Sequence, residues 1–196
     1  MTSYDLIGTI ASLLSTLLFL RLDIKAWAVG LVASFFNSWL YWQKGIYTDM
    51  CLESFYFISI CYGWYMWSRY QNLNDNDNTA IKKLTINQWG YLSLVIAALF
   101  CVIFILLTPF SHSSVIKYEA LTASLCIVAQ WLMCRKVIAT WIIWILADLI
   151  YAAMYLHKGL PVHTLVMLIY TGMAIIGYFE WLKVQPKTIS QSPRVM

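Results

Sequence analysis

An all-α integral membrane protein, with seven transmembrane helices in a 3+1+3 arrangement of parallel three-helix repeats, is predicted by three observations. Hydrophobic residues make up 61% of the 196 residues and charged ones 11%, with a mean hydropathy of +0.69, far from the soluble balance. Seven apolar runs, at 5–22, 25–43, 48–68, 89–109, 115–134, 137–157 and 160–182, are each long enough to cross a hydrocarbon core of about 30 Å. The stretch 21–67 reappears at 135–181, offset by 114 residues without a gap, and ten of its 47 positions are identical. These are Arg21/Arg135, Ile24/Ile138, Trp27/Trp141, Ala33/Ala147, Tyr41/Tyr155, Lys44/Lys158, Gly45/Gly159, Tyr56/Tyr170, Gly63/Gly177 and Trp67/Trp181.

Each element follows in order. The first run has neither a basic leader nor a small-residue cleavage site, so it reads as a retained helix rather than a signal peptide. Gly45 and Gly159 mark tight turns between the second and third helix of each repeat. Residues 69–88 are polar, and QNLNDNDN at 71–78 reads as a connector. The fourth run, ended by Pro109, is a linker helix. Three helices per repeat would invert the second copy; the extra helix restores a parallel relation, with the axis along the membrane normal and the substrate site between the halves. The expected divisions are 1–68 for the first repeat, 69–110 for loop and linker helix, 111–182 for the second repeat and 183–196 for a cytoplasmic tail.

Charge sets orientation. Arg21, Lys25, Arg69, Lys82, Lys83, Arg135, Lys136, Lys183, Lys187 and Arg194 fall on one side, and Lys44, Lys117 and Lys158 on the other. The positive-inside rule then places the N-terminus outside and the C-terminus in the cytoplasm. These charges form no polybasic cluster, which argues against nucleic acid or a lipid-headgroup role. The five cysteines (Cys51, Cys61, Cys101, Cys126, Cys134) lie within spans, without CxxC or a histidine at ligand spacing, and read as small packing residues rather than metal ligands. His112, His157 and His163 fall near outer helix ends, where solvated or interfacial roles are expected. No HExxH, GxSxG or phosphate-binding GxxxxGK[ST] occurs, so neither an enzyme nor an ATPase is expected, and no catalytic residue, metal or cofactor.

The sixth run carries the chemistry. Trp141, Trp144, Asp148, Tyr151 and Tyr155 step by 3, 4, 3 and 4, which places them on one helical face. The matching face of the second run carries Trp27, Gly30, Ser34, Asn37 and Tyr41. A carboxylate at mid-span costs about 2.5–3.5 kcal/mol even on lenient insertion scales, so Asp148 should turn inward, to a bonded neighbour or to a wet cavity. Glu53, Tyr56 and Gln130 are further inward candidates, although Glu53 is equally readable as a solvated or dipole-pairing group near a helix start. Glu119 reads as interfacial. The candidate substrate-binding set is therefore Asn37, Glu53, Tyr56, Gln130, Trp141, Trp144, Asp148 and Tyr151. Flat aromatic walls with one or two carboxylates suit a planar cationic heterocycle, and Gln130, Asn37 and Ser34 offer bonds to ribose or amide groups.

The segment EALTASLCIVAQWLMCRKVIATWIIWILADLIYAAMYLHKG (119–159), then GYFEW (177–181), resembles the PnuC family of bacterial nicotinamide riboside transporters; so do WAVG (27–30), KGIYTDM (44–50) and YGWYMW (62–67). The likeness spans nearly the whole chain, the linker helix least. It implies a fold similar to the duplicated SWEET sugar transporters and facilitated diffusion of a vitamin-like substrate, trapped inside by phosphorylation. The family's tryptophan motif falls on Trp141 and Trp144, and its glutamine on Gln130. Where relatives often carry Pro, Gln and Asp, this chain has Ala28, Glu53 and Glu119. The expected function is nicotinamide riboside uptake, with thiamine or riboflavin as the alternative substrate, and a non-transporting scaffold or sensor as the reading from another class. Expected partners are that small molecule, the lipid bilayer and, optionally, further copies of the chain, since no GxxxG stripe decides oligomeric state.

Overall fold

The computed structural model describes residues 3–44, 47–72, 81–109 and 116–184. They form seven helices: α1 (Ser3–Leu20), α2 (Lys25–Lys44), α3 (Tyr47–Asn72), α4 (Ile86–Leu107), α5 (Ile116–Cys134), α6 (Ala139–His157) and α7 (Pro161–Val184). The seven expected spans correspond to these one by one. Two boundaries differ by more than two residues. Helix α3 continues past residue 68 to Asn72, and α4 begins at Ile86 rather than 89. Thr85 starts α4 early, because its hydroxyl accepts from the Gln88 N–H while the Gln88 side chain accepts from the Thr85 N–H, a reciprocal cap that satisfies two otherwise orphaned donors. Gly45, the rest of the 71–78 connector, His112, Lys187 and Arg194 lie outside the described residues.

Six helices close a ring in which each touches the next, in the order α1, α2, α3, α5, α6, α7 and back to α1. Among the described residues α4 stands outside this ring, packed on α5. Nothing on α4 is buried, and its apolar surface on every side suits a helix that faces lipid. By length and composition α4, α6 and α7 are apolar enough to cross a membrane. The stretch Ile7–Leu20 of α1 is apolar as well but shorter, while α2, α3 and α5 are less apolar.

The 114-residue offset recurs in the geometry. Leu22 and Lys136, at φ 55 and φ 54, turn the chain between the first two helices of each half. The same amides close both turns: Arg21 N–H donates to Leu18 C=O at 3.1 Å, and Arg135 N–H to Leu132 C=O at 3.1 Å. Ser15 donates its hydroxyl to Ala26 C=O at 2.8 Å. At the equivalent place Thr140 donates to Ala129 C=O at 2.8 Å, so the hydroxyl has moved to the other helix of the pair.

Beneath these turns lie four tryptophans, Trp27, Trp67, Trp141 and Trp181, none more than 2% exposed. Trp27 and Trp67 meet edge to face at 5.4 Å, as do Trp141 and Trp181, a geometry the ring quadrupoles favour. Trp67 Nε1–H donates across the α3/α5 seam to Met133 C=O at 3.3 Å. Trp181 Nε1–H donates across the α7/α1 seam to Phe19 C=O at 3.0 Å. The two bonds are equivalent under the offset, and each ties one half to the other. Glycine lets the rings in: a Cβ at Gly63 would overlap the Trp27 ring, and one at Gly177 would come within 2.7 Å of Trp141.

The segment before α4 is anchored to the second half. Lys82 N–H donates to Lys136 C=O at 2.9 Å and Ile138 N–H to Lys82 C=O at 3.0 Å, a short parallel bridge that buries Ile81 in the core. The Lys136 ammonium sits 4.9 Å over the Trp67 ring, and burial holds its pKa below the ordinary lysine value.

One expectation is corrected. Cys126 and Cys134 are buried, but Cys61 and Cys101 are exposed, because they stand on the outer faces of α3 and α4 where the ring has no neighbour. They are surface thiols and not packing residues. The side chain of Cys51 lies outside the described residues.

Two outcomes are expected in thermal or denaturant unfolding of detergent-solubilised protein. Gly177→Ala forces a methyl against the Trp141 indole and should destabilise by about 1–3 kcal/mol, the usual cost of overpacking. Trp67→Phe and Trp181→Phe keep a ring but remove the indole donor that bridges the halves; Met133 and Phe19 C=O each keep a turn bond, from Lys136 and Leu22 N–H, so each change should cost about 0.5–1.5 kcal/mol. A null result for both would show that the seams are held elsewhere.

Candidate substrate-binding cavity

The ring encloses a cavity of about 830 Å³ lined by all six of its helices and by nothing from α4. Its rim includes Leu160, Pro161, Val162 and His163, exposed residues at the α6–α7 turn, and its deep end includes Phe19, Met133 and Trp141, directly above the tryptophan layer. That volume is in the range of small-molecule sites.

All eight sequence-predicted residues line it: Asn37, Glu53, Tyr56, Gln130, Trp141, Trp144, Asp148 and Tyr151. They are not equivalent. Trp141 is 1% exposed and wedged between Gly177 and Trp181, so it belongs to the floor as much as to the wall. Its Nε1–H, like that of Trp27, has no partner among the described residues. The rest of the α6 stripe, Trp144, Asp148, Tyr151 and Tyr155, lines the wall. On α2, Gly30, Ser34, Asn37 and Tyr41 line it as expected, but Trp27 does not. It starts the helix one turn too deep and packs under the cavity against Phe19 and Trp67 instead.

Glu53 is nearly two turns inside α3, because that helix starts at Tyr47. Asn37 Nδ2–H donates to its Oε1 at 3.3 Å, while the Ser34 hydroxyl donates to the Glu53 carbonyl at 2.8 Å. Glu53 therefore belongs to the cavity wall and not to a solvated helix start. Asp148 is 7% exposed and accepts no hydrogen bond from the described residues. A buried carboxylate without a partner is costly, and that cost falls when a cation enters beside it. Among the described residues no lysine or arginine lines the cavity. Glu119, in contrast, pairs with Lys158 at 2.9 Å, both partly exposed, which agrees with its interfacial reading. No cluster of three metal-ligating side chains occurs among the described residues.

The lining obeys the 114-residue offset while its chemistry does not. Ser12, Thr16 and Phe19 on α1 stand where α5 has Cys126, Gln130 and Met133. Ser34 and Asn37 answer to Asp148 and Tyr151, and Glu53 to Met167, whereas Tyr56/Tyr170 and Tyr41/Tyr155 are identical pairs. The first half thus presents hydroxyls, an amide and a carboxylate. The second presents an amide, aromatic faces and an unpaired carboxylate; Tyr151 and Tyr155 stack at 5.9 Å, and Tyr155 meets His163 at 5.4 Å. Sequence reasoning missed Ser12, Thr16, Met167, Tyr170 and His163. Thr16, Met167 and Tyr170 were reachable by extending the offset, which maps them onto Gln130, Glu53 and Tyr56, whereas Ser12 and His163 map onto Cys126 and Asp49, which were not candidates.

Known proteins are similar to this chain in sequence and fold. The family model described as nicotinamide mononucleotide transporter matches residues 2–183. The nicotinamide riboside transporter PnuC of Escherichia coli (strain K12) is 26% identical over 208 residues, covering 91% of this chain and 87% of that one. Its namesake in Haemophilus influenzae is 22% identical over 185 residues, covering 93% and 80%. A crystal structure of the vitamin B3 transporter PnuC matches the fold with a TM-score of 0.73 at 20% identity, over 91% of this chain and 80% of that one. With a helical ring, a central cavity and a family match over nearly its full length, this chain belongs to the nicotinamide mononucleotide transporter (PnuC) family of membrane transporters and is not an enzyme.

Proposed function

We propose that this chain carries nicotinamide riboside into a bacterial cell by facilitated diffusion, binding it in the central cavity. The observation that carries this reading is Asp148, a buried carboxylate without a bonding partner among the described residues, in the same wall as the aromatic side chains of Trp144 and Tyr151. A pyridinium ring satisfies both: it stacks on the aromatics and neutralises the carboxylate, each contact being stronger for lack of water. The described lining holds no lysine or arginine, which favours the riboside over its 5′-phosphate, since the phosphate would meet no cation among those residues. Phosphorylation inside the cell then traps the product, since the phosphorylated form meets no lysine or arginine among the described lining residues on the way back.

The two halves rock about the cavity, related by an axis along the membrane normal. The ten-to-three split of basic residues places the Arg21/Arg135 end in the cytoplasm, with both termini as expected from charge. The tryptophan layer then closes the cytoplasmic side, and the rim at His163 faces outward. Of the alternative substrates, thiamine is favoured by one feature, the second carboxylate Glu53 in the wall, which would suit its thiazolium.

Titration of purified protein with riboside, mononucleotide, thiamine and riboflavin tests the proposal. Riboside should bind best. Trp144→Ala should weaken it about ten-fold or more by loss of stacking, and Asp148→Asn by about ten- to a hundred-fold by loss of a charged partner. Equal binding of the mononucleotide would sink the argument from charge, and tight thiamine binding without a riboside response would move the protein to the alternative substrate.

A further inference from the structure

The symmetry-breaking residues of the first half converge on one side chain. Asn37 on α2 touches both neighbouring helices of its half: its Nδ2 lies 3.5 Å from Ser12 Oγ on α1 and 3.3 Å from Glu53 Oε1 on α3. Its Oδ1 rests on Gly8 of α1 so closely that a Cβ there would overlap it. In the second half the corresponding residues are Tyr151, Cys126, Met167 and Thr122. Thr122, in the place of Gly8, carries its Cβ and turns its hydroxyl back to the Tyr118 carbonyl at 2.9 Å. The glycine, the amide, the hydroxyl and the carboxylate thus occur together on one side of the cavity and have no counterpart on the other.

We infer that Ser12, Asn37 and Glu53 form a subsite for the vicinal hydroxyls of the substrate's sugar, and that Gly8 is the residue that positions Asn37 for it. The inference rests on the reading that this cavity takes a riboside. A carboxylate accepts hydrogen bonds from hydroxyls, as acidic residues do for ribose in dinucleotide-binding folds. The amide and the serine hydroxyl supply the complementary donors. The existing Asn37 bonds, at 3.3 and 3.5 Å, are at the long end of the hydrogen-bond range, so they yield readily to an incoming diol. A planar cation has no use for such a cluster and belongs by charge at Asp148, on the opposite half. The substrate therefore lies across the pseudo-twofold axis, with its sugar toward α1–α3 and its ring toward α6. Gly8 acts through Asn37: an alanine methyl displaces the free end of a flexible side chain rather than a helix, so it alters recognition ahead of folding.

The test compares nicotinamide riboside with its 2′-deoxyriboside on wild-type protein, Gly8→Ala, Ser12→Ala, Asn37→Ala and Asp148→Asn, with thermal unfolding of each. Wild type should prefer the riboside by about ten-fold or more, as expected of a site built to bond a hydroxyl. In Gly8→Ala and Asn37→Ala that ratio should collapse to about two-fold, with the midpoint of Gly8→Ala near that of wild type. Asp148→Asn should weaken both ligands and leave the ratio intact. If Gly8→Ala fails to fold, Ser12→Ala, which removes a hydroxyl alone, must lower the ratio on its own. Equal affinity of wild type for the two ligands, or an unchanged ratio in Asn37→Ala, overturns the subsite. An unchanged ratio in Gly8→Ala overturns the positioning role. Failure of wild type to bind either ligand overturns the riboside reading itself, a result distinct from the others.

Discussion

Two indole N–H groups bonded to two backbone carbonyls hold the halves of this ring together at one end. Trp67 reaches Met133 and Trp181 reaches Phe19, and both acceptors sit at the C-terminal ends of helices, where carbonyls lack a partner within their own helix. Each carbonyl also accepts a turn amide, Lys136 N–H at Met133 and Leu22 N–H at Phe19, so the indole from the opposite half fills a second lone pair, and away from water that donor is worth more than the same bond on a soluble surface. The rings then pack edge to face over Gly63 and Gly177, and the space above them stays open. Cavity and floor follow from one repeated contact.

Duplication explains the frame, and its decay explains the function. The turns, the tryptophans, the close-approach glycines and two tyrosine pairs keep their register, because each serves backbone geometry or packing that both halves need. The cavity wall has diverged at the positions that face empty space: Asn37 against Tyr151, Ser34 against Asp148, Glu53 against Met167. A symmetric wall would suit a symmetric ligand. A wall with bonded hydroxyl and amide groups on one side and an unpaired carboxylate among aromatics on the other suits a molecule with a sugar at one end and a cationic ring at the other.

How far the primary structure was legible differs between frame and site. The α6 stripe was readable in full, since a 3-4-3-4 spacing survives any context and Asp148 had nowhere to go but inward. Glu53 was ambiguous, because its standing depended on where α3 begins, and no residue near Tyr47 announces that start. Trp27 was misplaced: periodicity assigns a face of a helix but not a depth along the cavity, and one turn at the α2 start separates floor from wall. Cys61 and Cys101 were misread for a related reason, since lipid-facing and core-facing positions in a membrane helix draw on the same apolar residues.

By itself the sequence determined that this chain spans a membrane seven times, that two of its parts are copies, and which carboxylate and aromatic residues must turn away from lipid. Those properties are local or periodic, and they follow from hydropathy, spacing and identity alone. The tertiary structure decided that α1 and α7 complete the wall, that Asn37 is held between Gly8, Ser12 and Glu53, and that Asp148 has no hydrogen-bond partner among the described residues. Each of these depends on which helices are neighbours in the ring. Ser12 and Glu53 lie 41 residues apart, and only the closure of the ring brings them to the same amide.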